Sequence, residues 1–572
     1  MTDLVIRNGT VVDGTGASSF RGDIAVAGGV ITAVSPAGRL DERGAREIDA
    51  DGHLVLPGWV DIHSHYDGQA TWDPLLTPSS WHGVTTTVFG NCGVGFAPVQ
   101  RGTEGFLINL MEGVEDIPGT VLAEGIDFTW QDFPGYLDAL AATPRIMDVA
   151  AQVPHGALRC FVMGERGGDH AERPSEDEIA RMGQLVAEAL DAGALGFSTS
   201  RTTKHRARDG RPTPSLSAAE PELFGVAEAM RRLGKGVLQV NSDFGPGEVE
   251  LLTEWAAIAG RPMSVLLLQV DNAPELWRDT LAGIHAAQAR GVAMVGQVGV
   301  RPIGVMMGFD VSVNPFAAAP AWRDLARLPR AELVARLRGD ADVRRHLTSA
   351  DLGFWHDRAT NRSYDLGDPM DYEPAPSASI AARAAAAGVP ATELLLDRML
   401  EDDGHALLLH TFENYTDGNL DNVREMLADP HTICGLGDAG AHVATICDAS
   451  YPTFMLTHWA RDRTRGERLP LEFLVSKQTS KTAAAYGLAD RGVLAPGYRA
   501  DINIVDFDAL ALGQPAVAHD LPAGGRRLVQ HASGYRHTFV AGVEVACDGE
   551  ATGALPGRLV RGAQGEPEQR RS

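Results

Sequence analysis

The chain has 572 residues, 44% of them hydrophobic, and a formal charge of −25 from 50 basic and 75 acidic residues. This apolar content excludes a disordered chain, and the length suits a large barrel with an accessory domain. The acidic balance argues against binding nucleic acid or an anionic membrane surface through bulk charge, and no apolar run reaches the roughly 18 residues that would predict a membrane span.

Residues 1–9 lack a basic stretch followed by an apolar one, so they do not read as a signal peptide. Residues 1–53 predict short strands joined by tight turns, with Asn8-Gly9 and Asp13-Gly14 as the turn signals. Residues 54–62 are apolar and partly β-branched and predict one buried strand running into His63-Ser64-His65. Strand residues two apart share a face, so His63 and His65 converge. Two imidazoles on one face can hold a divalent metal. Alternatively one caps the strand and the other packs in the core.

Further strands are predicted at 85–90, 147–153, 194–199, 236–241, 263–270, 293–298, 406–410 and 433–438. Helical stretches such as 176–192, 221–233, 248–259 and 274–289 lie between most of them, and Ser175 is a candidate N-cap. The alternation predicts an α/β fold, a TIM-like (β/α)8 barrel, with one strand candidate more than the barrel holds. The barrel is expected over 54–488, with an insertion at about 310–400 that helps cover its mouth. Residues 1–53 and 489–560 are expected to form one small β-sandwich domain from both chain ends, and the last dozen residues to fray.

Barrel enzymes place their chemistry at the C-terminal ends of strands. Cys92, among glycines after the second strand, is a candidate zinc ligand or an inert buried thiol. After the fourth strand, the loop from Ser198 to Lys204 concentrates hydroxyls and cations that can hold an anion such as a carboxylate, or forms a solvated loop. Asn241 and Gln269 end the fifth and sixth strands. Both are weak zinc ligands, and such amides often satisfy backbone groups. Arg301 is a candidate fork for a substrate carboxylate or a partner in a salt bridge. His410 ends a further strand. Asp438 ends the last one and can bind metal and accept a proton, or act as an N-cap, with His442 four residues on. The first and last strands of a closed barrel are neighbours, so His63, His65, Cys92 and Asp438 can meet. The five cysteines, Cys92, Cys160, Cys434, Cys447 and Cys547, form no disulfide framework and predict a cytoplasmic setting.

Leu56-Pro57-Gly58-Trp59-Val60-Asp61-Ile62-His63-Ser64-His65 resembles the first-strand motif of the amidohydrolase superfamily. The opening Val5 to Gly14 stretch and the closing Gly497-Tyr498-Arg499-Ala500-Asp501 resemble the β-sandwich halves that flank its barrel. Gly90-Asn91-Cys92-Gly93 and Gly193 to Thr199 resemble the N-acyl-D-amino-acid deacylases. The resemblance implies a metal-dependent hydrolase that cleaves the C–N amide bond of an N-acyl-D-amino acid with zinc-activated water. It implies Cys92 in the metal-bridging place and Asp438 as general base. The deacylases carry metal-binding histidines at the ends of strands five and six, where this chain has Asn241 and Gln269. One Zn2+ per chain, held by His63, His65, Asp438 and Cys92, is therefore expected, with the second subsite depleted. Other readings are an enzyme of the same fold acting on a cyclic amide, carbamate or ester, a non-hydrolytic variant, and a non-catalytic binding protein. The expected partner is a small molecule bearing a carboxylate, and the resembled family commonly forms homo-oligomers.

Overall fold

The computed structural model describes residues 2–567. Eight parallel strands form the barrel: Trp59–Asp61, Val84–Phe89, Asp148–Pro154, Gly196–Arg201, Val237–Ser242, Met263–Leu267, Met294–Val298 and Thr432–Cys434. Each pairs with the next in chain order. The first and last strands meet just beyond their C-terminal ends. There Ser64 bridges Ala439, the His65 N–H donates to the Ala439 carbonyl at 2.7 Å, and the Asp438 N–H donates to the His63 carbonyl at 3.1 Å. Barrel closure and assembly of the strand-end cluster are therefore the same set of hydrogen bonds.

The stretch 54–62 is two strands, not one. Leu54–Pro57 pairs antiparallel with Ile502–Val505 outside the barrel, and Trp59–Asp61 opens the barrel. Gly58 is the joint: a Cβ there would stand 2.1 Å from Thr85 Oγ1, so the chain crosses to the barrel only where no side chain intervenes.

The extra strand candidate is also resolved. Leu408–Thr411 lies outside the barrel, antiparallel between Gly304–Met307 and Ser363–Asp365 in a three-stranded sheet. His410 is therefore not at a barrel strand end. Its ring is buried, with Nδ1 3.1 Å from Ser363 Oγ and the Trp355 ring edge-on at 5.1 Å. A short apolar run looks the same in a barrel or in an insertion, so composition could not place it. The insertion has its own core, including Phe316, Leu337, Leu347, Leu395 and Met399.

The helix Glu176–Ala192 starts with Ser175 and Glu178 in a reciprocal capping box, and Gly193 ends it in the left-handed conformation. Both chain ends build a nine-stranded, mostly antiparallel sheet around Thr2–Val11. The tail then runs along the barrel bottom. Leu559 bridges Val149, the Gly562 N–H donates to the Gly193 carbonyl, and Gln564 bridges Leu488. The expected fraying thus fails through Gln564, and residues 568–572 lie outside the described residues. No helix among the described residues is long and apolar enough to cross a membrane.

Candidate metal centre

His63 and His65 leave the first strand with their rings 5.4 Å apart. The His63 Nδ1–H donates to Gln297 Oε1 at 2.7 Å, so Nε2 carries the lone pair. Gln297 is held in turn, its Nε2 donating to Ser264 Oγ at 2.8 Å and Tyr486 Oη at 2.9 Å. His63 Nε2 lies 3.4 Å from Cys92 Sγ and 3.2 Å from Asp438 Oδ1. His65 Nε2 lies 3.7 Å from the same carboxylate oxygen. One donor atom each from His63, His65 and Cys92 falls within 4.8 Å of the others. Pairs of zinc ligands about 2.0–2.3 Å from one ion are separated by no more than that.

Local backbone geometry explains the glycines around Cys92. Gly90 has φ +77°, and a Cβ there would sit 2.2 Å from the Gln152 carbonyl oxygen. The Asn91 amide donates to the Ser64 and Val88 carbonyls at 3.0 Å each, and the Cys92 N–H donates to Gln239 Oε1 at 2.8 Å. Cys92, Asp438 and His442 have φ of +53°, +44° and +47°. Left-handed backbone at non-glycine residues is costly and concentrates at functional sites.

Burial sets the protonation states. It pushes His63 down to about 4 against the Gln297 hydrogen bond, and holds His65 well below the usual imidazole range. Both rings are neutral and ready to bind a cation. Burial also lifts Asp438 to about 6 and both Asp61 and Asp67 to about 7. The Cys92 thiol is raised by burial and then by the Glu115 and Asp438 charges. Asp61, Asp67, Glu115 and Asp438 have no Lys or Arg partner among the described residues; Glu115 and Asp438 face only histidines. Three buried carboxylates and the half-buried Asp438, without a basic partner and beside neutral imidazoles and a thiol, fit a divalent cation that displaces the remaining protons.

The fold brings His63, His65, Cys92 and Asp438 together, and Asn241 and His442 border them. The Asn241 amide nitrogen is 3.8 Å from Cys92 Sγ and 3.2 Å from His205 Nε2. Other candidates are engaged elsewhere. Gln269 accepts from the Thr416 N–H and the Asn422 amide and donates to Asp417, so it fastens the insertion's return to the barrel. Arg301 is fully buried, donates to Asp448 Oδ1 at 3.0 Å and lies 3.5 Å from the Tyr372 ring centre. Its Nη2 is thus committed to a core ion pair, while Nε and Nη1 are buried without hydrogen-bond partners. Ser198 Oγ donates to the Gly90 carbonyl and accepts from the Gly93 N–H, which shapes the cysteine turn. Lys204, with its side chain 46% exposed, pairs with Glu413 at 3.0 Å.

Three residues near the centre escape the strand-end reading: Gln297, Glu115 and His205. Gln297 lies inside a strand, one residue before its end. Glu115 ends the helix Glu104–Glu115 on the buried stripe of Leu107 and Met111, and that periodicity was a usable signal. His205 lies in a loop, with Nδ1 3.1 Å from Ser200 Oγ. Burial, then the neighbouring His442 and His63 imidazoles, push it down to about 3.

A second grouping, His537, Glu544 and Cys547, lies on the end sheet. Its carboxylate is already held by Arg46 through two hydrogen bonds, at 2.7 and 2.9 Å.

The description "amidohydrolase family" matches residues 46–546. The D-aminoacylase of Alcaligenes xylosoxydans xylosoxydans is 28% identical over 571 residues, covering 98% of this chain and 97% of its own. A solved D-aminoacylase structure concerned with a binuclear metal centre aligns with a TM-score of 0.65 at 25% identity, over 99% of this chain and 100% of that one. The zinc and phosphonate complex of an N-acyl-D-glutamate deacylase from Bordetella bronchiseptica shares the fold, with a TM-score of 0.65 at 24% identity over 98% and 99% of the two chains. With the family match running through the whole barrel, the chain belongs to the amidohydrolase family, as a hydrolase of carbon–nitrogen bonds other than peptide bonds.

Proposed function

We propose that this enzyme hydrolyses the amide of an N-acyl-D-amino acid, or of a related small N-acyl compound, with one zinc held by His63, His65, Cys92 and Asp438. The carrying observation is the convergence of His63, His65 and Cys92, with the Asp438 carboxylate beside both imidazoles and no basic partner, in a chain similar to a D-aminoacylase over nearly its whole length. When bound, the zinc supplies Lewis acidity and a nucleophile at neutral pH.

The residues perform the remaining steps. Gln297 fixes the His63 tautomer so that Nε2 faces the centre. Asp438, with Oδ1 beside both imidazoles, is placed to take a proton from water and return it to the leaving nitrogen. Its left-handed backbone, fixed by the bond from its N–H to the His63 carbonyl, keeps the carboxylate beside both imidazoles. Lys204 is the proposed partner for a substrate carboxylate, in place of the buried Arg301. The Asn241 amide, facing Cys92 where an imidazole is absent, supports a single metal.

The same amide keeps a second reading open, hydrolysis of a cyclic amide, carbamate or ester. Turnover of N-acyl-D-amino acids, their L enantiomers, lactams and esters by zinc-loaded enzyme separates the two. The deacylase reading expects the D series to dominate kcat/KM, and turnover confined to lactams or esters would replace it. The free cysteines support a cytoplasmic setting.

A further inference from the structure

We propose that Glu115 is a positioning residue for the metal centre: its two carboxylate oxygens orient His65 and His442 and so tie the last-strand loop to the first-strand histidines. This role rests on the reading of His63, His65, Cys92 and Asp438 as metal ligands.

The geometry is specific. Glu115 Oε1 lies 3.5 Å from His65 Nδ1, and Oε2 lies 3.5 Å from His442 Nε2. Glu115 is only 1% exposed, and both Oε1 and His65 Nδ1 are buried without a hydrogen-bond partner. Two orphaned, complementary atoms 3.5 Å apart mark a bond that a small shift would complete. His65 Nε2 is the nitrogen that faces Asp438. A cation on Nε2 requires the ring proton on Nδ1, the side where Glu115 waits. A carboxylate that receives this proton donor fixes the ring and raises its basicity.

The second oxygen reaches a different loop. His442 follows Asp438 in the connection after the last barrel strand, and its N–H donates to the Glu115 carbonyl. Its φ of +47° is held against the usual preference of a non-glycine residue. Asp116 completes the anchor by accepting from Ser312 Oγ at 2.9 Å and Thr445 Oγ1 at 2.6 Å. One helix end thus grips the first-strand histidine, the Asp438 loop and the insertion. A buried carboxylate with no Lys or Arg partner costs stability in the metal-free chain, which is unexpected of a group kept for packing alone.

The test compares Glu115→Gln and Glu115→Asp with wild type. Zinc affinity is measured by competition with a chromophoric chelator, the visible spectrum of the cobalt-substituted protein reports the ligand field, and melting temperature is taken without metal. Glu115→Gln should bind zinc about 10–100-fold more weakly. It should also shift the cobalt spectrum and melt at or above the wild-type temperature when metal-free, because the change removes an unpaired acid. Glu115→Asp should recover part of the affinity. Affinity within twofold of wild type and an unshifted cobalt spectrum would overturn the role. So would a fall in metal-free melting temperature that accompanies the affinity loss, which would mean a packing residue. Wild type that binds no zinc would instead refute the metal centre, and with it this role.

Discussion

His63 Nδ1 and Gln297 Oε1 are 2.7 Å apart, and this bond decides which histidine nitrogen faces Cys92 and Asp438. Gln297→Leu keeps the approximate volume and removes the acceptor, leaving a buried Nδ1–H unpaired. Zinc affinity should fall about 10–100-fold. Chelator competition measures it, and affinity equal to wild type would remove Gln297 from the account.

Asp438→Asn keeps the shape and an oxygen but loses the proton acceptor. The kcat should fall about 10²–10⁴-fold while zinc is retained, the range for loss of a general acid–base group. Metal analysis alongside steady-state kinetics separates this from ligand loss. A variant that retains both zinc and full kcat would show that another group moves the proton.

Arg301→Ala leaves Asp448 buried without its cation. Breaking a buried pair from one side costs about 3–5 kcal/mol. The variant should therefore lose denaturant resistance, whereas the KM of its folded fraction should change little. A large rise in KM at unchanged stability would return Arg301 to the role of carboxylate fork.

The pH dependence of stability has a separate source behind the third strand. Burial would raise Glu222, but the hydrogen bond from His155 at 2.9 Å, with the His155 and Arg159 charges, outweighs it and brings it to about 2. Its unfolded value is the ordinary 4.5, so the folded state is favoured when Glu222 is ionised. That stabilisation, about 3 kcal/mol from the size of the shift, is complete above pH 4.5 and is lost as pH falls toward 2. Glu222→Gln should be less stable at neutral pH, and its denaturant midpoint should fall less steeply with pH across that window. An identical slope in both proteins would refute the assignment.

The barrel was legible because hydrophobic periodicity and strand-end residues report local facts. The His63-Ser64-His65 pair, the glycine-flanked Cys92 and Asp438 could be related once the first and last strands were known to be neighbours. What the chain hides is partnership. Arg301 looks like an open fork until Asp448 and Tyr372 close around it. Gln269 looks like a site amide until residues 414–422 return from the insertion to meet it. The 406–410 run was misplaced because strand propensity carries no address within a sheet. Glu115 was missed because a long connection brings a helix end to the first strand's histidines, a contact no local pattern states.

The most direct test of the central claim is metal content against turnover in one preparation. The account predicts about one zinc per chain. Activity on an N-acyl-D-amino acid should vanish when chelation removes the ion and return on reloading, with His63→Ala and His65→Ala failing to recover it. Full turnover by metal-free wild type would contradict the account.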